Sequence, residues 1–140
     1  MRTHLMTHLL GLYLSLTAVA QNGTTVILGE WLSPQKDSRV LIYRQGAAYF
    51  GKITWGTGTT EKDEKNPNPA LRSRNLVGTV ILKNFVFDGT DTWKDGTIYD
   101  PRDGKTYACK MTLKDADNLS IRGYVGVSLF GRTEVWTKYK

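Results

Sequence analysis

"GTIYDPRDGKTYACKMTL", residues 96–113, decides how this chain folds. In its second half Tyr107, Cys109, Met111 and Leu113 alternate with Thr106, Lys110 and Thr112. A period of two puts the first set on one face of an extended strand and the second set on the other. Between the halves stands Pro101-Arg102-Asp103-Gly104, a turn composition, so the two halves read as neighbouring antiparallel strands. One face is apolar and belongs to an interior; the other meets water.

The same grammar extends in both directions. Upstream lie "TTVILGEW" (24–31), "RVLIYRQ" (39–45), "AAYFGKITW" (47–55) and "LVGTVILKNFVF" (76–87). Downstream, "KDAD" (114–117) turns the chain into "NLSIRGYVG" (118–126), and "RTEVWTKY" (132–139) ends it. In the first of these Leu119, Ile121 and Val125 oppose Ser120, Arg122 and Tyr124. Asp88-Gly89 and Asp95-Gly96 are hairpin signals, because glycine accepts the positive φ such turns need. Eight or nine short strands at this spacing, without long helical periodicity, predict an all-β chain. We expect an antiparallel up-and-down β-barrel of about eight strands. At most one short helix is foreseen, at "NPNPALRSRN" (66–75), with Asn68 as cap and Pro69 in the first turn. The charged run Glu61–Lys65 reads as a solvated loop.

The N-terminal 20 residues follow a different rule. Arg2 precedes an apolar run, Leu9–Leu16, which ends in Ala18-Val19-Ala20. This pattern predicts a signal peptide over residues 1–20, with cleavage near Ala20 and a single barrel domain over 21–140. The apolar run is shorter than the ~20 residues that span a bilayer, so the chain is not expected to be membrane-spanning. A soluble periplasmic or secreted protein follows. Loss of Arg2 lowers the formal net charge from +6 to +5. The basic residues are scattered rather than clustered, which argues against nucleic acid.

Cleavage would also remove His4 and His8, the only histidines. No Ser-His-Asp or Cys-His pair can then be assembled. One cysteine and no histidine cannot hold zinc. Walker-type and G-x-G-x-x-G loops are missing. Asp88, Asp91 and Asp95 miss the alternate-residue spacing of a calcium loop and read as turn residues. Asp100 and Glu134 could pair as glycosidase carboxylates, though nothing in their spacing favours it. We expect no enzyme, no metal and no cofactor. Cys109, on the apolar face, reads as a buried and inert thiol.

"GKITW" (51–55), "NPNPALRSR" (66–74), "GTIYDPRDGKTYACKMTL" (96–113) and "IRGYVGVSLFGRTEVW" (121–136) resemble domain of unknown function 2147, a family of small secreted bacterial proteins. That resemblance implies export and a small β-barrel, and no established activity. "GEW" (29–31) further resembles the G-x-W signature of lipocalin-like barrels. There the tryptophan closes one end beneath a basic side chain of the last strand. By that likeness Gly29, Trp31, Arg132 and Trp136 would close the barrel, with Arg132 or Lys138 over the Trp31 ring.

Two roles follow. The first is a binding module for a small hydrophobic or amphiphilic ligand, fatty-acid-like, held inside the barrel. Tyr43, Tyr49, Trp55, Trp93, Tyr99 and Tyr107 would supply aromatic surface for it. Arg72, Arg74 and Arg122 would meet its headgroup through bidentate contacts. The second is a structural or interaction protein of the cell envelope with a solidly packed barrel. A closed barrel leaves no strand edge, so a monomer is expected.

Overall fold

A computed structural model describes residues 24–58 and 61–140; the expected leader lies outside the described residues. Eight strands follow one another: β1 (Gly29–Leu32), β2 (Ser38–Gln45), β3 (Ala48–Gly56), β4 (Val80–Phe87), β5 (Thr92–Asp100), β6 (Lys105–Leu113), β7 (Asn118–Tyr124) and β8 (Gly131–Lys138). Each pairs antiparallel with the next, and β8 returns to β1 through Trp31–Lys138 and Leu32–Thr137, so the sheet closes into a barrel. The stretch 96–113 forms most of β5 and all of β6, with Ile98 opposite Tyr107 and Gly96 opposite Cys109.

Two local readings change. The sequence suggested a first strand over 24–31, but Thr24–Val26 form a helical turn and the strand begins at Gly29. Asp95-Gly96, read as a hairpin turn, lies inside β5, which leaves eight strands. Asp95 takes a φ of 62°, and the register of β5 slips between Trp93 and Gly96. On β4, Asn84 takes a φ of 64° beside it. These two bulges bend adjacent strands together, as a barrel corner requires. A Cβ on Gly96 would fall 2.5 Å from the Phe85 ring. Glycine there lets Phe85 lie across β5.

The barrel has a filled end and an open end. Ile27, Trp31, Ile42, Tyr49, Phe85, Trp93, Cys109, Met111 and Leu119 are buried and fill the first. Burial pushes the Cys109 thiol up to about 12, as its inert reading requires. The helical turn plugs this end. Ile27 is fully buried, and the Trp31 Nε1 proton is donated to its carbonyl at 2.9 Å. Lys138 Nζ sits 4.7 Å from the centre of the Trp31 ring and donates to the carbonyls of Val26 and Leu28. Burial holds that ammonium below its ordinary pKa.

At the open end the connection from β3 to β4 folds back as a strap. Its 3-10 helix, Pro69–Leu71, starts at Asn68, whose side chain accepts from Ala70 N–H. The strap is pinned by Asp63, which is fully buried. The Asp63 carboxylate accepts from Tyr99 Oη, from Asn66 Nδ2 at 2.8 Å and from Arg74 Nε at 2.9 Å. Lys65 Nζ donates to the carbonyl of Arg102, and the Lys65 carbonyl lies so close to Gly104 that no side chain fits there.

Candidate functional site

The inner faces of the strands change character toward the open end. Val40 of β2 stands opposite Ile53 of β3, and Ile121 of β7 stands opposite Glu134 of β8. With Ile81, Ile98 and Trp136 they enclose a cavity of about 580 Å³. The large rings that fill the other end stop short of this half, so the β-branched side chains line a space instead of closing it. Its volume falls within the range of small-molecule sites, ~300–1,000 Å³. Leu76 and Val77 of the strap complete the apolar wall.

Polar groups gather at the mouth. Arg102, in the β5–β6 turn, is held by Asp100 at 3.0 Å and reaches Glu134 at 3.5 Å. The Asp100 bond chiefly raises the guanidinium pKa, so it stays charged. Arg132 approaches the same Glu134 oxygen at 3.7 Å, while Trp136 Nε1 donates to the other at 3.2 Å. Tyr107 Oη donates to Asp103. That bond holds the Asp103 carboxyl below its usual value and the Tyr107 hydroxyl above its own. The site is therefore an apolar chamber with a charged, hydrogen-bonding rim.

Of the aromatic residues foreseen as ligand contacts, Tyr99 and Tyr107 line this cavity. Tyr49 and Trp93 pack edge to face at 5.9 Å in the filled end, with Phe87 stacked on Trp93 at 4.5 Å. They form the floor structure and do not reach the chamber. Tyr43 stacks on Phe50, and Trp55 lies under Arg39, both away from the cavity. The arginines are employed elsewhere too. Arg72 donates to the Asn66 carbonyl, Arg74 binds Asp63, and Arg122 donates to the Ser128 and Leu129 carbonyls. Among the residues foreseen for closure, Gly29 and Trp31 sit at the plugged end beside Lys138. Arg132 and Trp136 line the cavity instead.

Sequence reasoning passed over Arg102, Ile98 and Ile81, and placed Ile121 on an apolar face without giving it a ligand. A period of two applied to "TIYD" puts Ile98 and Asp100 on one face, and that signal was present. Arg102 was read only as part of a turn. Asp100 and Glu134, weighed as a catalytic pair, share one arginine at the rim.

A search of curated proteins gives no match. Among solved structures, protein HP1028 from Helicobacter pylori, described as belonging to the lipocalin family, is similar over 81% of this chain and 83% of its own. The TM-score is 0.74 and the identity 24%, a likeness of fold. No helix among the described residues is long and apolar enough to cross a membrane. Residues 29–138, β1 through β8, match the family model of uncharacterised proteins conserved in bacteria known as DUF2147, and the chain belongs to that family.

Proposed function

We propose that this protein binds one small hydrophobic or amphiphilic ligand in the open half of its barrel, as an exported carrier or sensor without catalysis of its own. The apolar body of the ligand lies against Val40, Ile53, Ile81, Ile98, Ile121 and Trp136. Its head stays at the rim with Arg102, Arg132, Glu134 and Tyr107. A fatty-acid-like carboxylate suits the two arginines, which now share Glu134 between them.

The observation that carries this reading is the cavity of about 580 Å³ with an apolar wall and a polar mouth. Burying an aliphatic ligand there is favourable by roughly 25 cal/mol per Å² of apolar surface. A solidly packed barrel, the alternative role, describes only the filled half. Titration with the neutral fluorophore N-phenyl-1-naphthylamine tests the proposal. Saturable enhancement at one site per chain, reversed by long-chain fatty acids, is the expected result. No enhancement with any apolar probe would refute it.

A further inference from the structure

The loop between β7 and β8 breaks the rule that governs the rest of the surface. Val125, Val127, Leu129 and Phe130 are between 57% and 78% exposed, within six consecutive residues. Exposed apolar residues scattered singly need no explanation, but a contiguous group at a loop tip does. Val125 and Phe130 also line the cavity mouth.

Two further features say what covers this tip. First, the carbonyl side of its backbone is already satisfied from within. The carbonyls of Val127 and Phe130 accept from Phe130 N–H and Val125 N–H. Those of Ser128 and Leu129 accept from Arg122 Nε at 2.7 Å and Nη2 at 3.3 Å. Four consecutive carbonyls thus need no water, which lowers the cost of bringing the loop to the interface of an apolar phase. Second, residues 118–133 contain no acidic residue, while Arg122 and Arg132 flank the tip. Arg132 is largely exposed, with the less exposed Glu134 carboxylate 3.7 Å away. An apolar tip between two arginines is complementary to an anionic lipid surface, where acyl chains lie beneath phosphates.

We infer that the β7–β8 loop is a membrane-docking tip: Leu129 and Phe130, with Val125 and Val127, dip into the surface of a bilayer containing anionic lipid. Arg132 sits at the phosphates, while Arg122 braces the loop from within and adds its charge. Docked this way, the barrel mouth faces the lipid, and an amphiphile passes between bilayer and chamber without crossing water. The docking rests on the loop alone and stands whether or not the chamber takes a ligand.

The test labels the loop of the full chain. Leu129→Cys accepts a thiol-reactive nitrobenzoxadiazole dye, and Cys109 does not compete because it is fully buried. A dye on the loop reports on the loop itself, so any binding through the apolar run 9–16 does not interfere. With phosphatidylglycerol vesicles the emission is expected to shift to the blue and rise several-fold. With phosphatidylcholine, or with Arg132→Gln, the response weakens. On unlabelled protein, Leu129→Ser with Phe130→Ser lowers vesicle affinity about tenfold or more, since burying one such side chain is worth that factor. Its thermal midpoint stays that of the parent. An unshifted dye on anionic vesicles, or equal binding by the double serine variant, would overturn the inference. So would a blue shift that needs only the soluble apolar probe and no vesicles, because the loop would then be a lid over the chamber.

Discussion

Asp63 shows how one residue holds a long connection in place. Burial alone would raise its carboxyl, yet bonds from Tyr99, Asn66 and Arg74 keep it below the ordinary value. Burial and the same bond push the Tyr99 hydroxyl up to about 12. The signs differ. A lowered carboxyl contributes stability above its ordinary pKa, and that contribution disappears as pH falls through the lowered value. The raised hydroxyl contributes stability below its ordinary 10.0, which fades as pH climbs toward 12. We therefore expect Asp63→Asn to cost about 2 kcal/mol at neutral pH, as hydrogen bonds to a charged group do. Urea midpoints check this. Tyr99→Phe should flatten the alkaline limb of stability, seen by comparing melting at about pH 9 and about pH 11. A parallel loss in both proteins would assign the limb to other groups. None of this was legible in "EKDEK", where Asp63 reads as one more solvated charge. Two of its three partners are 11 and 36 residues away. Only the folded chain brings them together.

At the scale of elements, the barrel was legible and its irregularities were not. Alternation in "KTYACKMTL" assigns Tyr107, Cys109 and Met111 to the inside, because a strand has one period and one burial direction. Asp95-Gly96 carried a turn composition yet became a bulge, since φ > 0 serves both and only pairing with β6 selects one. Gly96→Ala is expected to cost about 1–3 kcal/mol, as overpacking does, because Phe85 has nowhere to retreat. Asp95→Gly should be nearly neutral by comparison, and denaturant midpoints of the two variants test the contrast. The plugged end makes a second prediction. Lys138→Met removes a cation from the Trp31 ring and two bonds to the Val26 and Leu28 carbonyls. A loss of about 1–2 kcal/mol is expected, with faster amide exchange at residues 26–28. Unchanged exchange there would mean the plug is held by Ile27 packing alone.

For the molecule as a whole, volume separates two otherwise equal roles. Sequence composition lists aromatic side chains without saying which of them fill space. Tyr49 and Trp93 fill one end, so ligand room falls to the other, where isoleucines and valines join Tyr99, Tyr107 and Trp136. The proposed export and the proposed docking fit one picture, in which the barrel meets lipid through its open mouth. The central claim is that this mouth leads to a chamber holding one guest. Native mass spectrometry of delipidated protein, offered a panel of fatty acids and neutral amphiphiles, tests it most directly. A one-to-one complex is predicted, lost in Ile98→Trp, whose indole occupies the chamber while the thermal midpoint is retained. An absence of any complex across the panel, or an adduct that persists unchanged in Ile98→Trp, would contradict the account.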